Sequence, residues 1–315
     1  MRDKRLNDYH NRLDARLQQS FSDGVFTFKV KEKLCIYEKK HRDYTLNLMR
    51  NISACVIGEY SYVKIDLSDC PEITASASVL LFAEVSRARI ATENDNCVEI
   101  KLPTSKTLSK VLQETGWTKA INAGYKEQVE LFEHDETFQT SSDPAKAIIS
   151  ILTMLRNNDV ELKSLEGKVF SRGVNEAMLN VLHHAYSHED YPLGGIGRRW
   201  WQSCFRYKDY LNNKLVYIIC DFGQGILGSL PKKYDNETVI EHLNRAMQIG
   251  ETCTGQLDRG KGSGDIVDAA SIKDNSTLFI ASNNAVYIKQ GNNRAKIEES
   301  VVPLLGTVVE WQVDI

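Results

Sequence analysis

The chain has 315 residues, 42% hydrophobic and 26% charged, with a net charge of -3, which fits a globular protein of two ordinary domains. That balance gives no global attraction to nucleic acid or to an acidic membrane. No apolar run approaches the roughly 20 residues of a membrane span, and the charged start is unlike a secretory signal, so a cytoplasmic protein is expected. Seven cysteines form no C-x-x-C pair, which argues against a zinc or dithiol site and for buried, inert thiols.

In chain order, Leu6, Tyr9, Leu13 and Leu17 recur at helical spacing, and the spacing predicts a polar helix within 1–22 that Ser22-Asp23-Gly24 breaks. Short alternating or apolar runs follow at 25–30, 33–37, 63–67 and 98–102, each read as a strand. Helical patterns lie between them at 44–57, 77–90 and 105–114. Strands alternating with helices predict a first α/β domain over 25–133. Residues 134–144, mostly polar and ending at Pro144, read as a linker. Helices, the apolar strand 214–220, a helical stretch 239–249 and strands at 277–281, 285–289 and 307–313 then predict a two-layer α/β sandwich over 145–315.

Four motifs in this second region carry chemistry. Glu176, Asn180 and His184 stand at four-residue steps on one helical face, while Val174, Met178, Val181 and Ala185 can face a core. A carboxylate there can take a proton from water or a hydroxyl, and a carboxamide can ligate Mg²⁺. A polar outer helix face explains that spacing equally well. Directly after the 214–220 strand comes Asp221-Phe222-Gly223-Gln224-Gly225, which is also ordinary turn chemistry. Arg259-Gly260-Lys261-Gly262-Ser263-Gly264-Asp265 precedes a predicted helix and can offer backbone N–H groups to phosphates. A P-loop reading of Gly255 to Lys261 fails, because Gly262 stands where Ser or Thr must hold Mg²⁺ and no buried strand precedes it. Lastly, Gly306-Thr307 opens the final apolar strand.

In this order the four motifs resemble the GHKL ATPase superfamily, which includes gyrase B, the large heat-shock ATPase chaperones, sensor histidine kinases and anti-sigma-factor serine kinases. The resemblance covers about 145–315 and implies a Bergerat-type ATP-binding fold. It implies that Glu176 activates the attacking group and that Asn180 holds Mg²⁺. Asp221 would take the adenine amino group, Gly223 and Gly225 would flank the base, and Thr307 would support the pocket. Gly260, Gly262 and Gly264 would cradle phosphates in a mobile lid, with Lys261 neutralising charge. His184-Ala185-Tyr186 is similar to the continuation in the anti-sigma kinases. Two departures stand out: Asp265 replaces the aliphatic residue usual after the last lid glycine and brings negative charge near the phosphates. The stretch 187–213, with Trp200-Trp201, is an insertion read as packing or a partner surface.

The first domain resembles a STAS domain of the anti-sigma-antagonist type over roughly 25–130, through 63–68, 73–77 and 108–117. Of the phosphorylated Asp-Ser-Ser-Gly loop of those antagonists only Ser76 is retained, within Thr74-Ala75-Ser76-Ala77, and a helix N-cap is the expected role. The resemblance implies an ATP/ADP-binding regulator of bacterial type with a protein partner, leaving dimerisation open. Mg²⁺-dependent ATP hydrolysis is the first expectation. A protein-serine kinase and a nucleotide-switched binding module are the alternatives.

Overall fold

The computed structural model describes residues 2–130, 136–157, 160, 162–186, 196–208, 213–248 and 262–315. It is a mixed α/β protein that divides into two compact units, Met1–Val129 and Glu130–Ile315. Among the described residues no helix is long and apolar enough to cross a membrane.

The first unit carries a four-stranded sheet in the order β1 (Gln19–Ser22), β2 (Val25–Lys29), β3 (Tyr62–Asp66), β4 (Val98–Lys101). The first pair is antiparallel and the other two are parallel. Parallel neighbours need long crossovers, which α2 (Lys39–Ser53) and α3 (Ala75–Thr92) supply. The N-terminal helix α1 (Arg2–Arg16) is shorter than expected. Residues 19–22 join the sheet instead, and Leu13 and Leu17 are buried, so this segment belongs to the first unit. The expected strand at 33–37 is reduced to a single bridge between Leu34 and Ile73. Helix α3 is buried from Ser76 to Ile90, which explains why it shows no one-sided periodicity. Its N-cap is Thr74, not Ser76. Ser76 is fully buried in the first turn, its N–H donating to the Tyr37 hydroxyl at 3.1 Å.

The unit continues through α4 (Lys106–Glu114), α5 (Trp117–Asn122) and α6 (Tyr125–Glu130). Ser105 caps α4 by accepting from the Leu108 N–H, as Ser does at helix starts.

The second unit holds a fully antiparallel sheet in the order β5 (Phe138–Ser141), β6 (Trp200–Lys208), β7 (Asn213–Asp221), β9 (Lys296–Asp314), β8 (Thr277–Gln290). Helices α7 (Pro144–Asn157) and α8 (Ser164–Asn180) pack on one face of it. Ile151, Met154, Phe170, Val174 and Met178 share a core with Trp200, Tyr217, Ile219 and Trp311. The Phe170 and Tyr217 rings meet edge-on at 6.2 Å, and Phe170 meets Trp311 at 6.5 Å, the aromatic geometry that adds to plain area burial.

Two expectations are corrected here. Residues 138–141, read as part of a linker, form a buried edge strand. Their polar side chains are accommodated because each finds a partner: Gln139 bonds Ser150 at 2.8 Å and accepts from Gln202 at 2.9 Å, and Thr140 donates to the Trp200 carbonyl. Burial of such groups is cheap only when they are hydrogen-bonded. Residues 200–208, read as part of an insertion, are a core strand, with Trp200 and Trp201 both fully buried. Those tryptophans are packing, not a partner surface.

Candidate functional site

Strands β7, β8 and β9 bring Ile219, Ile280 and Val309 side by side, since Val309 pairs with both isoleucines. They floor a cavity of about 400 Å³. One wall is α8 and the turn after it, with Glu176, Asn180, His183 and His184. The others are the Asp221–Gly225 turn with α9 (Gly225–Ser229), Ala246 and Met247 at the end of α10 (Val239–Ala246), Thr307, and the start of α11 (Gly262–Asp268).

Of the residues singled out in the sequence, Glu176, Asn180, Asp221, Gly225, Gly262 and Thr307 line this cavity together, as does Asp265. Gly223 and Gly264 do not line it. Gly260 and Lys261 lie outside the described residues. Gly223 serves the fold: a Cβ there would run into the Ala185 carbonyl, so only glycine lets the turn press against α8's end.

The Asp221 carboxyl is buried and accepts from the backbone amides of Gly223, at 2.7 Å, and Thr307. Burial pushes it up to about 7, against the lowering effect of those two amides. Around it the turn is tied on every side. The Gln224 N–H donates to the Ala185 carbonyl at 2.7 Å, and the Phe222 N–H to the Tyr186 hydroxyl at 3.1 Å. Ser282 Oγ accepts from the Ile226 N–H at 2.8 Å and sits 3.0 Å from Thr307 Oγ1. Asn283 accepts from the Leu227 N–H and donates to the Gln224 carbonyl. Gly225 has φ +74°, and a Cβ there would strike the Asn283 carboxamide, so the turn requires glycine on both counts.

Ser282 and Asn283 were not legible as site residues. Their signal is the break in alternation at Ser282-Asn283-Asn284, where β8 shifts register against β9 and Asn283 takes φ +51°. Such irregularities re-aim side chains near sites.

At the other end, Glu176 faces α11. Its carboxylate occupies the space a Cβ on Gly262 would take. Burial raises the Glu176 carboxyl, the neighbouring charge of Asp265 raises it further, and His183 opposes both. Asp265 pairs with Arg172 across the two helices at 3.7 Å. Helix α11 crosses α8 at Gly173, where an added Cβ would lie 2.8 Å from the Asp265 carbonyl and 2.9 Å from Ala269 Cβ.

Glu176, Asn180 and His184, expected on one helical face, all line the cavity. Residues 181–185 form a π-helical turn, and His183 reaches the cavity as well. Insertions of this kind recur at functional sites. Among the described lining residues there are three carboxylates and two imidazoles but no Lys or Arg. No cluster of three or more His, Cys, Asp or Glu able to hold a metal ion occurs among the described residues.

No protein-family model, no curated protein sequence and no solved structure matches this chain.

Proposed function

We propose that the second unit is a GHKL-type domain of Bergerat fold that binds ATP with Mg²⁺ and hydrolyses it, coupled to a regulatory protein contact. In this reading the first unit is a STAS-like module. One observation carries it: side chains from four distant segments, in the motif order that such a site needs, converge on a single cavity over an antiparallel sheet. The donor set also suits the ligand. Asp221 offers a buried acceptor for an exocyclic amine, and the apolar floor of Ile219, Ile280 and Val309 suits a flat base.

Asn180 would hold the metal, which offsets phosphate charge when bound. That need is real, because the described lining is rich in carboxylates. Glu176, whose carboxyl is raised by burial and by Asp265, would take a proton from the attacking group, a role that a raised carboxyl favours. Phosphoryl transfer depends mostly on positioning and charge.

Titration calorimetry with a non-hydrolysable ATP analogue and Mg²⁺ tests this. Saturable binding to one site per chain is expected, and absence of binding by the wild type overturns the reading. Labelled ATP separates the outputs: free phosphate supports hydrolysis, whereas label retained on protein supports a serine kinase acting on a partner. The buried Ser76 is a poor acceptor in the conformation described.

A further inference from the structure

A second, open cleft of about 1250 Å³ runs between α7 and α8. Leu152, Leu155 and Leu165 give it an apolar lining, with Leu165 72% and Leu152 48% exposed. Arg156, Lys168, Arg172 and Arg206 line it too, and no Asp or Glu does among the described lining residues, the main-chain end at Ile315 lying at one side. Arg156 and Lys168 have no ion-pair partner among the described residues. Exposed leucines beside uncompensated cations fit one kind of occupant, an acidic amphipathic segment of another protein.

Arg172 belongs to both sites. It lines this cleft, and its guanidinium pairs with Asp265, which lines the nucleotide cavity. A carboxylate docked in the cleft competes for Arg172 and leaves the Asp265 charge uncompensated beside Glu176.

We infer that the α7–α8 cleft docks an acidic, leucine-bearing segment of a protein partner, and that Arg172, by leaving Asp265, transmits its occupancy to the cavity as weaker binding of phosphate-bearing nucleotide. The coupling half rests on the ATP reading, while the docking half does not.

The probe is a fluorescent helical peptide of about 15 residues, glutamates with leucines at i, i+3 and i+7, followed by anisotropy against the full chain without nucleotide. Salt-sensitive binding is expected, lost in Leu165→Glu and in Arg156→Glu/Lys168→Glu, each checked for folding by circular dichroism. Saturating peptide should weaken binding of the Mg²⁺-ATP analogue about two- to fivefold, the range for an exposed ion pair, and leave adenosine binding unchanged. Arg172→Gln should remove that coupling.

Failure of the peptide to bind, or binding that Leu165→Glu leaves intact, overturns the docking site. Binding only to anionic lipid vesicles, or self-association abolished by Leu165→Glu, replaces the protein partner with a membrane or a second copy and overturns it as well. Peptide binding without any effect on nucleotide overturns the coupling. A wild type that binds peptide but no nucleotide overturns the coupling and the ATP reading together, and leaves docking standing.

Discussion

At the Asp221 end of the cavity each wall is tied to its neighbour. Backbone amides of Gly223 and Thr307 reach the carboxylate, Ser282 and Asn283 hold the start of α9, and the Tyr186 hydroxyl and Ala185 carbonyl anchor the turn. At the Glu176 end, α11 meets α8 through close helix contact at Gly173 and Gly262 and one long, partly exposed ion pair. The first arrangement is preorganised, so a ligand there spends little on ordering the site. The second has fewer polar ties, the Trp311 indole N–H donating to the Ile266 carbonyl at 2.9 Å being one of them, and in the ATP-binding reading proposed above it is the end that would adjust to phosphates.

The largest expected effect breaks the comparison at its loose end. Glu176→Gln removes the proposed base and, on the ATPase reading, should lower phosphate release about 10²- to 10⁴-fold, with calorimetric affinity for the ATP analogue kept within a few-fold. Loss of affinity to the same degree would show that Glu176 serves binding instead.

Next comes the protonation of the rigid end. Burial raises Asp221 from its ordinary 3.8 to about 7, so between those values the native chain retains a proton that the unfolded chain has released. Its contribution to stability is therefore full below the unfolded value and is lost as pH rises toward about 7. The span amounts to on the order of 4 kcal/mol. Urea unfolding of wild type and Asp221→Asn across pH 4 to 8 measures it. The stability of the wild type relative to the variant should fall through that interval, and a flat difference would contradict the buried carboxyl.

Gly223→Ala sharpens the contrast from the side of packing. The new methyl has the Ala185 carbonyl in its place, and a backbone obstacle that cannot rotate away should cost about 3 kcal/mol or more, read as a drop in melting temperature. Gly262→Ala meets a carboxylate that can swing aside, so stability should change by less than about 1 kcal/mol. Turnover should still fall about tenfold as Glu176 is displaced. Equal thermal losses in the two variants would erase the proposed difference between the ends.

The rigid end was also the more legible in sequence. A β-branched run ending in Asp221 and two glycines marks a strand and a tight turn by local chemistry alone, and β7 and the turn stand there. The periodicity of Val174, Met178, Val181 and Ala185 likewise marks a face that is buried. Three features had no local signal. Residues 138–141 look like a linker because their polar groups are satisfied by Gln202, Ser150 and Arg199, partners far along the chain. Trp200–Lys208 becomes a strand only beside β5 and β7, a pairing no periodicity announces. The π-helical turn at 181–185 departs from the α repeat on which the spacing of Glu176, Asn180 and His184 was read.

That turn lets the chain absorb a change of one residue in length at this point. Its wide wind takes more residues per revolution than an α-helix, so deleting one residue lets the segment close into ordinary α-helix. Five residues of the wide turn and four of ordinary α-helix both carry the chain through a little more than one revolution, so the chain beyond would stay in phase. The Tyr186 hydroxyl, which accepts from the Phe222 N–H and donates to the Arg199 carbonyl, would keep its place. A deletion within α8 itself, where each residue turns the chain by about 100°, would instead put every anchor beyond it out of phase.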